Sequence, residues 1–258
     1  MRRGRNDGTL PSAPAGASSI NLCDVHLALG DDPPAPVLGG VDLLAPAGEV
    51  TAIVGPSGCG KSTLLDVIAG LREPDHGQVL VGGHHADRIG RVALMPQRDA
   101  LMPWRTLLAN VEAGARLAGD APDVARARAR VALQQAGLAG FEHHYPHALS
   151  GGMRQRGALA RTLLSGRGTW LLDEPFGALD ALTRSEMHGV LKETCARHRP
   201  TVLLVTHDIA EAVLLAETVL VAGPSPMRIV DVIDTHAEGD AGGRERALES
   251  LRAAGVAA

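Results

Sequence analysis

The sequence predicts an α/β protein built around a parallel sheet. Three observations carry that expectation. Short, almost wholly apolar, β-prone runs at Val50–Val54, 169–172 and 201–205 each end in polar residues and pass into a helical pattern. These runs do not alternate, which suits strands covered on both faces. Aromatic residues make up only 2% of the chain, so the core must be built from Val, Leu, Ile and Ala. With 258 residues and 45% hydrophobic content, the chain can bury such a core without disulfides or metals. Lys and Arg number 25 against 29 Asp and Glu, a formal net charge of -4 that offers no general attraction for nucleic acid. Cys23, Cys59 and Cys195 are widely spaced with no Cys-x-x-Cys, the pattern of reduced thiols in a cytosolic protein. No run of 18 apolar residues is present to span a bilayer.

Residues 1–19 are rich in Arg, Gly, Pro and Ser without an apolar stretch, and are expected to form a disordered lead-in rather than a signal peptide. Segments 20–29 and 37–44 show partial period-2 alternation, separated by the turn signal Asp31-Asp32-Pro33-Pro34. Val50–Val54 ends at Gly55, and a Gly-rich turn leads into a helix over 61–69 with Leu64, Leu65 and Ile68 at helical spacing and Gly70 as its stop. The stretch 107–149 is rich in Ala, Arg and Leu and reads as helical. Arg126, Arg128 and Arg130 alternate with alanines there, which fits a solvated helix face better than a nucleic-acid patch. Residues 236–258, rich in Gly, Arg and Ala, read as a tail or last helix.

The chemistry sits at the ends of the apolar runs, where parallel sheets place their sites. Gly55-Pro56-Ser57-Gly58-Cys59-Gly60-Lys61-Ser62 fits G-x-x-x-x-G-K-[ST] between a predicted strand and a predicted helix. Glycines there let backbone N–H groups turn inward around phosphate oxygens, and the helix N-terminus adds positive potential. Lys61, one of only two lysines, would reach the β- and γ-phosphates, and Ser62 would ligate Mg²⁺. Thr63 follows as part of the same loop–helix junction. Cys59 reads as a small tolerated filler of the loop. Trp170-Leu171-Leu172-Asp173-Glu174 delivers two carboxylates at a strand tip. Asp173 is the candidate Mg²⁺ ligand and Glu174 the general base for water.

A P-loop with an acidic strand tip also fits kinases, GTPases and helicases. Leu149-Ser150-Gly151-Gly152-Met153-Arg154-Gln155 separates these, since it resembles the signature motif of ATP-binding cassette (ABC) ATPases. The resemblance covers roughly residues 20–232. Gln97 falls at the Q-loop glutamine, Gly177-Ala178-Leu179-Asp180 is similar to the D-loop, and Thr206-His207-Asp208 resembles the switch-histidine segment. It implies a P-loop NTPase with a RecA-like core, an antiparallel β subdomain and an inserted helical subdomain at about 98–160, all within an ABC ATPase domain at 20–235. It further implies that ATP with Mg²⁺ lies between one chain's P-loop and Ser150, Gly151, Gly152 and Gln155 of a second copy, with Asp180 crossing the interface. His207 would contact the γ-phosphate and orient Glu174, and Gln97 would approach Mg²⁺. The family's adenine-stacking aromatic is replaced by Leu29, so weaker adenine selectivity is expected.

The segment from Met95 through Thr106, with Tyr145-Pro146-His147 and the run from Asp173 to Arg184, resembles the ATPases of nitrate/sulfonate/taurine importers. ATPases that serve importers of thiamine pyrimidine precursors are similar here and remain the alternative. Leu101, Met102 and Trp104 form an apolar cluster that either packs the helical subdomain or receives a permease helix. His143, His144 and His147 suit a structural role better than a metal site. The resemblance implies a homodimer on the cytoplasmic face of a bacterial inner membrane, bound peripherally to a permease and indirectly served by an extracytoplasmic substrate-binding protein. A non-transport ABC ATPase acting on nucleic acid fits less well, because no second cassette or long heptad insertion is visible.

Overall fold

The computed structural model describes residues 17–85 and 88–255. Most of the predicted lead-in, residues 1–16, lies outside them. The chain runs β1 (Ile20–Leu29), β2 (Ala35–Ala45), β3 (Val50–Val54), α1 (Lys61–Ile68), β4 (His76–Val81), β5 (Ala93–Met95), α2 (Leu107–Leu117) and α3 (Pro122–Gln135). It continues with α4 (Gly151–Leu163), β6 (Thr169–Asp173), α5 (Ala181–His198), β7 (Thr201–Thr206), α6 (Ile209–Leu215), β8 (Thr218–Ala222), β9 (Ile229–Asp234) and α7 (Thr235–Ala253).

Two sheets form. One is antiparallel, in the order β2-β1-β4. The other has six strands in the order β5-β6-β7-β3-β8-β9, all parallel except β9 against β8. Every residue of β3, β6 and β7 is buried, as their unbroken apolar sequences require. Alternate residues serve two cores. Ala52, Val54, Leu172 and Leu204 face a core shared with α2 to α7, whereas Ile53, Leu171, Leu203 and Val205 face α1 and the antiparallel sheet. The central sheet is thereby clamped on both faces, and its strand tips become fixed points.

The helical stretch expected over 107–149 resolves into α2, α3 and a short 3₁₀ turn at Pro146–Ala148. Thr106 caps α2 by accepting from the Ala109 N–H at 3.3 Å. Arg128 pairs with Asp120, while Arg126 and Arg130 stay exposed. The apolar cluster beside Gln97 divides: Leu101 is buried with the core, and Trp104 projects into solvent with 73% of its surface exposed. Asn110, fully buried, holds this loop through the Met102 N–H and the carbonyls of Met102, Arg105 and Thr106. The three cysteines are free thiols. No helix among the described residues is long and apolar enough to cross a membrane.

Candidate active site

The site opens at the carboxyl ends of β3, β6 and β7. After Val54 the chain passes Gly55, where an added Cβ would lie 2.8 Å from the Ala222 carbonyl oxygen, so no side chain fits between β3 and β8. At the other end of the loop Gly60 takes φ 121°, and an added Cβ would lie 3.1 Å from the Val37 carbonyl oxygen, again a position that favours glycine. The loop is therefore compressed between neighbours, and α1 starts directly behind it.

Lys61 is 6% exposed, and its ammonium donates to the carbonyls of Gly55 at 2.9 Å and Pro56 at 2.8 Å. Those two bonds compensate a charge that burial would otherwise penalise heavily. Cys59 is buried in the loop, its Sγ 3.9 Å from the Lys61 Nζ. A cleft of about 310 Å³ opens at the loop, lined by Val37, Ser57, Gly58, Gly60, Lys61, Ser62, Thr63, Gln97, Asp173 and Glu174. An α-phosphate-to-γ-phosphate chain suits it. Gly58 (φ 77°) has open space where a Cβ would stand, and among the described residues lining the cleft Lys61 is the one lysine or arginine.

Asp173 ends β6 and is only 4% exposed. Burial pushes its carboxyl up from the ordinary carboxylate value. The Glu174 charge adds to that, while the Ser62 hydroxyl, Lys61 and the Gln97 N–H pull it back. A buried, desolvated carboxylate beside a serine hydroxyl fits a divalent cation that also needs phosphate and water oxygens. Asp173 and Ser62 thus fit Mg²⁺, with Gln97 at the rim of the same cleft.

Glu174 adopts φ 47°, the left-handed region that a non-glycine residue enters only under external constraint. Three contacts supply the constraint. Its N–H donates to the Val205 carbonyl at 2.8 Å, its carbonyl accepts from Gln155 Nε2 at 2.6 Å, and the Gly177 N–H reaches the same carbonyl at 3.2 Å. The twist turns the carboxylate toward the switch segment, where His207 Nδ1 lies 3.4 Å from Glu174 Oε1. His207 itself is mostly exposed at the end of β7. Asp208 next to it caps α6, accepting from Ala210 and Glu211.

The other expected site residues lie elsewhere in this single chain. Ser150 is exposed and caps α4, accepting from the Met153 N–H at 3.2 Å, with Gly151 and Gly152 forming the first turn. Asp180 is exposed and caps α5 through the Thr183 N–H and hydroxyl. Those hydrogen bonds hold its carboxyl below the usual range. None of these four lines the P-loop cleft. Gln155 lies apart from the exposed signature residues. It is buried, with one end of its amide on the Glu174 carbonyl and the other accepting from the Ala178 N–H at 2.7 Å, so it braces the acidic loop from within. Leu29 pairs with Ala35 at the end of β1 and does not line the cleft. The residue contributed by the antiparallel sheet is Val37, which sequence reasoning missed because no motif marks it. Its neighbourhood with Gly60 exists only once β2 is packed over the loop.

Comparison with known proteins gives a consistent set of likenesses. The profile described as ABC transporter matches residues 38–177. The chain is 44% identical over 201 residues to a taurine import ATP-binding protein (TauB) of Yersinia pestis, spanning 76% of this chain and 77% of that one. It is 51% identical over 185 residues to an aliphatic sulfonates import ATP-binding protein (SsuB 2) of Streptomyces avermitilis, spanning 72% and 70% of the two chains. Among solved structures, the dimeric ATP-binding cassette MJ0796 in a post-hydrolysis state with ADP and Pi superposes with a TM-score of 0.75 at 30% identity, covering 83% of this chain and 98% of that one.

Proposed function

This chain belongs to the ABC transporter family as an ATP-hydrolysing, ATP-binding subunit, and we propose that it energises import of taurine-like or aliphatic sulfonate anions. The observation that carries the catalytic part is the pairing of a constrained Glu174 with His207 at 3.4 Å beside the cleft that holds Lys61 and Asp173. The names of the relatives support the choice of cargo.

In this reading backbone N–H groups of the loop and the start of α1, with the Lys61 ammonium, hold the phosphates. Ser62 and Asp173, with Gln97, would hold Mg²⁺, which when bound would supply neutralising charge at the phosphate oxygens. Glu174 takes the proton of the water that attacks the γ-phosphorus, and His207 keeps that carboxylate and water aligned. The bond between the γ-phosphorus and the bridging oxygen breaks, and ADP leaves with the electron pair. Catalysis is mostly positioning and charge, so rigid strand tips matter more than reactive groups.

Two copies pair head to tail, so that Ser150, Gly151, Gly152 and Asp180 of one meet the P-loop cleft of the other. The exposure of Ser150, Gly151 and Asp180 in the single chain and the dimeric solved relatives support this arrangement. Trp104 and the loop around it form the docking surface for a membrane permease, supported by the exposure of a large ring on a loop that Asn110 holds rigid. The subunit then sits peripherally on the cytoplasmic face of the membrane, and the permease with an extracytoplasmic binding protein selects the cargo. Uptake of labelled taurine and alkanesulfonates by cells with and without this chain tests the reading. Loss of sulfonate uptake is expected. Unchanged sulfonate uptake with lost uptake of a thiamine pyrimidine precursor would overturn it in favour of that cargo.

A further inference from the structure

Glu174 and His207 meet at the rim of the site, but the segments that carry them are joined a second time underneath. Phe176, two residues after Glu174, is fully buried, and its ring meets His188 of α5 edge-on at 4.7 Å and 86°. The other side of the His188 ring reaches α6, where Nε2 lies 3.2 Å from Glu211 Oε2. Glu211 stands in the first turn of α6, four residues after His207, with its own N–H held by the Asp208 cap. Both members of the pair are buried, His188 at 8% and Glu211 at 5% exposure. From this second, buried bridge we propose that His188 and Glu211 are positioning residues that hold the Glu174 loop and the His207 segment in register for hydrolysis.

The energetics argue for a geometric role. Burying an ionisable pair costs desolvation that its mutual attraction seldom exceeds, and apolar residues of similar volume commonly serve stability as well or better. Leucines facing each other between α5 and α6 would fill this space. What a histidine–carboxylate pair adds is direction, because the ring is fixed on one side by a hydrogen bond and on the other by an aromatic edge. Glu174 needs such outside constraint. Its left-handed backbone persists only if its surroundings over-determine it, and the Phe176 anchor complements the Gln155 and Val205 bonds to Glu174 itself. A loop free to relax from φ 47° would carry the carboxylate away from His207 while leaving the P-loop untouched.

The inference rests on the assignment of Glu174 as base, so the experiment includes Glu174→Gln beside the pair variants. Steady-state ATP turnover, nucleotide KM and thermal midpoint are measured for the whole chain carrying His188→Leu with Glu211→Leu, which keeps the space filled and leaves no lone buried charge. His188→Gln keeps a donor toward Glu211. The double variant is expected to lose at least tenfold in kcat with KM within threefold of the parent, and His188→Gln to recover to within threefold in kcat. Phe176→Leu, which keeps Glu211 paired, is expected to lower kcat at least threefold with KM unchanged, and it serves if the double variant fails to fold. A folded double variant that turns over within twofold of the parent overturns the inference, as does a Phe176→Leu chain with unchanged kcat. A fall in kcat matched by an equal rise in KM in either variant overturns it too. If Glu174→Gln abolishes turnover while the pair variants are unaffected, this inference alone fails. If Glu174→Gln turns over normally, the assignment of the base fails first.

Discussion

The cleft at the carboxyl ends of the parallel strands and the one at their amino ends make an instructive pair. The second is larger, about 750 Å³ against about 310 Å³, and also carries charged side chains, among them Glu49, Lys192, Arg199, Glu217 and Asp234. Its chemistry is nonetheless quiet. Glu217 is occupied by the Val50 N–H at 2.7 Å, and burial pushes the Cys195 thiol up to about 12, so it stays protonated and unreactive. Both clefts carry a left-handed residue at φ 47°, Glu174 in the smaller and Arg199 in the larger, but only the smaller adds a buried lysine and a buried aspartate whose carboxyl is pushed up. Volume does not locate a site. Desolvated charge does, because a fold retains that cost where binding or chemistry offsets it.

Substitutions at the two clefts should therefore differ sharply in effect. Glu174→Gln is expected to lower ATP turnover by at least about a hundredfold, in the range of a lost general base, and to leave an ATP-bound dimer visible by light scattering. Turnover at the parent rate would remove Glu174 from that role. Lys61→Ala should weaken ATP binding by roughly 10- to 100-fold, as expected for losing one or two charge-assisted contacts, read by nucleotide titration.

Asp173→Asn should separate stability from function. It removes a desolvated charge and should raise the melting midpoint of the nucleotide-free chain by about 2 °C or more while abolishing Mg²⁺-dependent turnover. Because burial lifts this carboxyl, the folded chain keeps its proton to higher pH than the unfolded chain does. The parent therefore loses stability as pH rises from the ordinary value near 3.8 through the raised one, and the advantage of the asparagine variant should widen over that window. An advantage that shrinks with rising pH would contradict the burial argument.

Smaller effects complete the contrast. The described residues that line the cleft include Val37 and no aromatic ring, so ATP should be preferred over GTP by less than tenfold in turnover measurements. At the larger cleft, Lys192→Ala and Cys195→Ser should leave turnover within twofold of the parent. Cys195 should also resist thiol alkylation at neutral pH.

Much of the small cleft was legible in the chain because its chemistry is local. A loop that must turn N–H groups inward needs its glycines, lysine and serine in one unbroken run, so Gly55 to Ser62 can be read directly. Asp173 and Glu174 follow a strand that announces itself by continuous apolarity. The three-residue strand Ala93–Met95 could not be read that way, being too short to show a period. The partners of Gln155 within the chain could not be read from its motif. Its place in the signature suggests the interface, yet the turn of α4 directs it inward to the Glu174 carbonyl and the Ala178 N–H.

The sequence alone determined the three apolar central strands, the aliphatic core and the run from Gly55 to Ser62 that leads into α1, since each depends on neighbours within one or two turns of chain. Only the tertiary structure decided that Glu174 is held left-handed, that Val37 closes over Gly60, and that Phe176, His188 and Glu211 join three elements beneath the site. These relations pair residues far apart in the chain, and the packing of the sheet against its two layers sets them through distance and direction, which no local pattern of residue types encodes.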